Sequence, residues 1–184
     1  MDIKVIDPQV IVHDRLDIQL LKNLEKYGRV CYKSEDRITE DSAPRFIKSL
    51  IKRGHESVIE HEKVTVTFIT NRGITHEIVR HRIASYSQES SRYCNYKNQF
   101  IFIRPFYFNG RAYDLWMQAM INCAKTYEML LNAGYRPEQA RGVLPNDLKT
   151  EIVVTYNLRE WRHFFKLRCA RAAHPQIRQV AIPT

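Results

Sequence analysis

The stretch that begins at Lys63 constrains the fold most. Val64, Val66 and Phe68 alternate there with Thr65, Thr67 and Ile69, and this period of two in β-branched side chains predicts a half-buried strand. Such a strand belongs to a sheet with one face to cover, and the flanking sequence offers helices to cover it. Residues 16–27 carry apolar side chains at helical spacing up to Gly28, which is expected to stop the helix. Asp41 or Ser42, followed by Pro44, predicts a helix start, and the run through Phe46, Ile47, Leu50 and Ile51 ends at Gly54.

The remaining elements follow from the same rules. Residues 3–6 read as a short strand closed by Pro8, and 55–61 as a polar connection. After the turn Asn71-Arg72-Gly73, residues 74–83 are expected to be helical and 84–99 to form a polar loop, a place where chemistry can sit. Residues 112–133 form the longest helical stretch and Pro137 opens a short helix to about Arg141. Residues 151–157 alternate as a strand, 158–168 return to helical period, and a last helix starts near Pro175. Strands and helices mix without βαβ alternation, and neither a G-x-G-x-x-G turn nor a P-loop occurs, so the reading is an α+β fold that is not Rossmann. The 184 residues are enough for one domain, 1–184, with a hydrophobic core.

Lys and Arg outnumber Asp and Glu by 29 to 20, giving a net charge of +9 that favours anionic partners without choosing among nucleic acid, lipid and phosphorylated small molecules. The absence of a membrane-length apolar run and of a secretion-signal layout after Met1 leads to the expectation of a cytoplasmic protein with no membrane partner. Cys31, Cys94, Cys123 and Cys169 are scattered and form no C-x-x-C pair, as suits reduced thiols rather than a zinc ribbon. His76 and His81 superficially fit H-E-x-x-H, but five residues at about 100° each set the imidazoles roughly 140° apart on a helix. No metal is expected.

Chemistry concentrates between positions 80 and 92. Arg80, His81, Arg82, Ser90 and Arg92 stand there with the hydroxyls of Ser85, Tyr86, Ser87, Ser91 and Tyr93, a density of guanidinium forks and hydroxyls that suits phosphate oxygens. On composition alone, a solvated basic helix end followed by a polar loop fits equally well.

Arg-His-Arg followed by seven residues and Ser, here RHRIASYSQESSRY, resembles the signature of flavin-dependent thymidylate synthases. The resemblance extends to His55-Glu56-Ser57-Val58-Ile59-Glu60-His61, to Arg141-Gly142-Val143-Leu144-Pro145, to Asn157-Leu158-Arg159, and to Leu167-Arg168 with His174 and Gln176. These blocks come in family order over most of the chain. The resemblance implies a mainly antiparallel sheet packed with helices, and a homotetramer whose FAD sites are shared between subunits. It also implies reductive methylation of dUMP to dTMP, with NADPH and 5,10-methylenetetrahydrofolate as cosubstrates. His55, Ser57, Arg80, His81, Arg82, Ile83, Asn157, Arg159 and His163 would hold FAD. Gln88, Ser90, Arg92 and Arg141 would hold dUMP, and Arg168 would face the uracil ring as the catalytic group. No protein nucleophile is implied, which sets aside Ser90 and Cys94.

Three positions depart from the family pattern: Gln88 where many relatives carry Glu, Glu77 where some carry Gln, and His163 where some carry Asn. The family's C-terminal helix is expected to run further than Ile182-Pro183-Thr184. A paralogue acting on another pyrimidine nucleotide would share these motifs, since a few hydrogen bonds to the base edge decide such a choice. A nucleic-acid-binding module would use the charge and the aromatic stretch 93–107, but Phe100, Phe102, Phe106 and Phe108 are read as buried packing residues, and no nucleic-acid partner is expected.

Overall fold

A computed structural model describes residues 1–183. The long alternating strand, β3 (Lys63–Asn71), lies inside a four-stranded antiparallel sheet with β2 (Gln9–Val12), β4 (Ala84–Gln88) and β6 (Lys149–Asn157) in the order β2-β3-β6-β4. Two further strands, β1 (Asp2–Ile6) and β5 (Gln99–Ile103), pair in parallel beside it. The helices are α1 (Ile18–Val30), α2 (Ser42–Lys52), α3 (Arg72–Ile78), α4 (Gly110–Asn132), α5 (Pro137–Ala140), α6 (Leu158–Arg168) and α7 (Pro175–Ala181). The α+β reading and the mainly antiparallel sheet both hold.

One face of the large sheet carries the core that the period of two demands. Val64, Val66 and Phe68 of β3 and Ile152, Val154 and Tyr156 of β6 pack against Ile74 and Ile78 of α3, Trp161 and Phe164 of α6, and Ile177 and Val180 of α7. A second cluster forms where Trp116, Met120, Ala124 and Tyr127 of α4 cover Phe100 and Phe102 of β5. A third joins Leu24 of α1 to Ile47 and Leu50 of α2 and to Ile59.

Several expectations change. Gly28 does not stop α1 but lies inside it, because the helix crosses α2 so closely that a Cβ at this position would sit 2.8 Å from Phe46 Cε1. Asp17 caps that helix, its carboxylate accepting the Gln19 N–H, so it starts at Ile18 rather than Leu16. The helix expected over 74–83 is shorter and earlier: Asn71 caps α3 by accepting the Ile74 N–H, and the helix ends at Ile78. The loop expected over 84–99 contains β4, whose Ala84 and Tyr86 pack against the core while Ser85 and Ser87 face out. Short, hydroxyl-rich edge strands have weak propensity, and pairing with β6 decides this one. Gln9–Val12 and Gln99–Ile103 form strands that the sequence reading above does not include. Phe100 and Phe102 are buried as predicted, but Phe106 and Phe108 are exposed. Residues 55–61 are tighter than a plain connection, with a 3-10 helix at Glu56–His61.

Candidate active site

The register between β4 and β6 organises the site. Ala84 faces Tyr156 and Gln88 faces Ile152, so the Arg-His-Arg end of β4 lies beside the start of α6, and the serine-rich end lies beside the middle of β6. At about 3.3 Å per residue, the four steps from Ala84 to Gln88 separate these ends by roughly 13 Å.

At the first end His81 is buried, with both ring nitrogens engaged. Arg168 Nε donates to His81 Nε2 at 3.1 Å, which requires that nitrogen to be unprotonated, so Nδ1 carries the proton and donates to Glu160 Oε1 at 2.7 Å. Burial lowers the His81 pKa below the ordinary value of 6.5 and the neighbouring Arg168 charge lowers it further, against the raising influence of Glu160. Glu77 completes the grip on Arg168: its Oε2 accepts from Nη1 and its backbone carbonyl from Nη2, each at 2.9 Å. The hydroxyl of Tyr86 reaches the carbonyls of Ile78 and His81 and stands 2.9 Å from the Tyr156 hydroxyl, tying the turn that carries Arg80, His81 and Arg82 to the sheet. Burial raises the pKa of both tyrosines, so they serve as protonated donors.

Two adjoining hollows open beside this network. One, of about 470 Å³, is lined by Ile83, Asn157, Arg159 and His163 together with Glu56, Glu60, Glu160, Arg162 and Lys166. The other, of about 330 Å³, is lined by His55, Ser57 and Arg159, and the two share Glu56 as well as Arg159. Six of the nine residues expected to hold FAD therefore line this pair of adjoining hollows, which together form the depression beside the network. Local structure places them. Asn157 caps α6 by accepting the Glu160 N–H at 2.9 Å, which sets Arg159 and His163 on the first turns of that helix. Gly54, at φ +77°, ends α2 with the paired bonds Gly54 N–H to Ile51 and His55 N–H to Leu50, which presents His55 at the hollow.

The other three expected residues flank the depression or support it. Arg80 and Arg82 are exposed, with no side-chain partner among the described residues, and Ile83 next to them has 69% of its surface open. His81 is the buried exception, supporting the site from beneath. Arg159 pairs with Glu60 and Glu56, so the acidic lining of the depression is partly neutralised from within.

The opposite end of β4 gathers the residues expected to hold dUMP. Arg141 Nη1 donates to Ser91 Oγ at 3.4 Å, and Arg92 lies 3.9 Å from Glu138, which brings two guanidiniums 49 positions apart in sequence to one turn. Ser90 Oγ accepts the Arg92 N–H, a turn-closing bond that does not activate it as a nucleophile. Gln88 points inward, its amide donating to Thr75 at 2.9 Å and Thr150 at 3.4 Å. His174 caps α7 by accepting the Gln176 N–H. Arg168 belongs to the first end of β4, away from Ser90, Arg92 and Arg141.

Glu160 escaped sequence reasoning because Asn157-x-x-Glu160 looks like an ordinary helix start. Its second role depends on His81, 79 positions away. Donor atoms of His81, Glu160 and His163 lie within 4.8 Å of one another, a grouping that joins residues far apart in the sequence and so has no local spacing motif. In this set both nitrogens of His81 already have protein partners.

An α+β scaffold with an arginine-rich site suited to anionic ligands is the class that the fold and the site define, and comparison with known proteins narrows it. Over 98% of the chain, with a TM-score of 0.81 and 24% identity, the fold matches a UMP/dUMP methylase, PolB from Streptomyces cacaoi, solved with 5-Br dUMP, of which it covers 88%. Residues 19–183 match the family model described as thymidylate synthase complementing protein. The flavin-dependent thymidylate synthase of Pyrococcus furiosus is 37% identical over 161 residues, covering 84% of this chain and 66% of that relative. The enzyme of the same description from Geobacter sulfurreducens is 37% identical over 165 residues, covering 84% and 71%. The chain belongs to the flavin-dependent thymidylate synthase family. It spans just under two thirds of the length of the Pyrococcus furiosus and Pyrococcus abyssi relatives, at 66% and 63%.

Proposed function

We propose that this chain acts as a single catalytic domain of a cytoplasmic flavin-dependent thymidylate synthase that converts dUMP to dTMP, with 5,10-methylenetetrahydrofolate as one-carbon donor and NADPH as reductant. One observation carries the reading: the depression lined by His55, Ser57, Ile83, Asn157, Arg159 and His163 lies next to two exposed, unpartnered guanidiniums, Arg80 and Arg82. Fixed cations without internal partners are free to take phosphate oxygens, and the mixed apolar and polar lining suits a ring system with a polar edge, so the residues fit FAD. Bound there and reduced by NADPH, the flavin would supply the hydride that completes the methyl group.

The protein's own groups position and polarise. Arg168 spends three of its five N–H donors on His81 and Glu77, leaving two for a pyrimidine carbonyl without breaking its anchors. A donor fixed in advance at developing negative charge is worth about 3 kcal/mol of barrier. Arg92 and Arg141 would hold the nucleotide phosphate, with Ser90 and Gln88 beside them. These residues sit at the far end of β4 from Arg168, an arrangement that suits a site completed by Arg168 of one subunit and Arg92 and Arg141 of another. This division supports a homotetramer with shared sites. The exposed Ile11 and Val153, on the sheet face opposite the core, suit a face that meets another subunit.

Anaerobic dTMP formation with FAD, NADPH, methylenetetrahydrofolate and dUMP, each omitted in turn, tests the reading. Product that needs every component is expected. No product from dUMP together with turnover of UMP or dCMP would reassign the substrate, and failure to bind FAD would overturn the proposal.

A further inference from the structure

We propose that Glu77 and Glu160 are positioning residues for Arg168, Glu77 by holding the guanidinium directly and Glu160 by fixing the tautomer of the His81 ring that anchors its Nε. The inference rests on the reading of Arg168 as the group that faces the pyrimidine, and it assigns roles to two carboxylates outside the family motif blocks.

Donor and acceptor counting carries the argument. Arg168 Nε–H can bond to His81 only if Nε2 is a bare acceptor. A neutral imidazole keeps Nε2 bare only while its proton stays on Nδ1, and the Glu160 carboxylate 2.7 Å away supplies the acceptor that keeps it there. Without that acceptor the ring can carry its proton on Nε2, where two N–H groups would oppose each other and Arg168 would lose one anchor. The ring has little freedom to compensate, being 4% exposed and packed against Tyr156 and Phe164. Glu160 is itself fixed at the start of α6, where its backbone N–H bonds to Asn157. On the other side Glu77 accepts from both terminal nitrogens of Arg168, through carboxylate and backbone carbonyl, which sets the plane of the fork. Two carboxylates, one reaching the guanidinium directly and one through the imidazole, thus define where the free donors of Arg168 point.

Three substitutions test this: Glu160→Gln, which keeps an oxygen that can accept the Nδ1 proton; Glu160→Leu, which does not; and Glu77→Ala at a partly exposed position. Nitrogen NMR of the labelled protein reads the His81 tautomer without reference to activity. The wild type and Glu160→Gln should carry the proton on Nδ1, and Glu160→Leu should move it to Nε2 in a sizeable fraction. In steady-state assays, Glu160→Leu and Glu77→Ala should lower kcat roughly ten- to a hundredfold while KM for dUMP changes little, FAD retention should change little in Glu77→Ala, and Glu160→Gln should restore most of the kcat lost in Glu160→Leu. An unmoved tautomer in Glu160→Leu overturns the proposal. So does unchanged kcat in both Glu160→Leu and Glu77→Ala, or a Glu160→Gln as slow as Glu160→Leu. Failure of the functional reading would show itself separately, as a wild-type protein that yields no product from any pyrimidine nucleotide, and the tautomer measurement would still decide the role of Glu160.

Discussion

The side-chain amide of Asn71 donates to Asp147 Oδ1 at 2.8 Å, while its own oxygen accepts the Ile74 N–H, so one buried residue closes β3, starts α3 and pins the approach to β6. Asp147 accepts from Trp116 Nε1 at 2.8 Å through its second oxygen, which ties in α4. Asn71→Ala should destabilise the protein by about 2–3 kcal/mol, roughly 1 for the helix cap and 1–2 for an acceptor left short of a partner. Urea unfolding would measure it, and a loss below about 0.5 kcal/mol would mean that water replaces the amide at no cost.

The close approach of Gly28 to Phe46 makes a second prediction. Gly28→Ala gains about 1 kcal/mol in helix propensity but places a Cβ 2.8 Å from Phe46 Cε1 and 3.2 Å from Val58 Cγ1, and overpacking of this kind costs about 1–3 kcal/mol. Net destabilisation is expected. The combined change Gly28→Ala with Phe46→Leu should cost less than the sum of the two single changes, because Leu yields the space. Strict additivity in melting experiments would count against the contact.

Stability should also depend on pH through His81. Burial, then Arg168 and His163, lower its pKa in the folded protein, and Glu160 opposes them without reversing the direction. Below 6.5 the unfolded chain takes up a proton at this residue that the folded chain resists, so stability should fall as pH drops from about 6.5 towards the folded value and level off beneath it. His81→Gln should shrink the stability difference between pH 7 and pH 5. An unchanged difference would place the titration elsewhere.

Arg168→Lys keeps the charge but not the fork. A single ammonium cannot reach His81, the Glu77 carboxylate and the Glu77 carbonyl in one plane. Turnover of dUMP is expected to fall roughly 10²- to 10³-fold, the scale for removing a fixed donor at developing charge. FAD retention should persist, since the depression is lined by other residues. Full turnover in a single-round assay would remove Arg168 from the chemistry.

Local pattern alone announced much of this molecule. The alternation from Val64 to Phe68 gave the central strand its face, Asn157 followed by helical period marked α6 from its first residue, and Gly54 marked the end of α2. These are consequences of a few dihedral angles and of which side each Cβ points, so they can be read within a dozen residues. The strand Ala84–Gln88 could not be read this way, because its hydroxyls fit a loop equally well and only a paired edge on β6 makes it a strand. The same limit applied at the site. Sequence picked out Arg80, His81, Arg82 and Arg168, but the bond from His81 to Glu160 spans 79 positions and that from Arg168 to Glu77 spans 91. Such partners are fixed by sheet register and by how α3 and α6 dock on one core face, a collective outcome of packing. Residue chemistry, legible in the sequence, sets which side chains can bind anions; packing of distant segments sets which of them are engaged internally and which are left to bind a ligand.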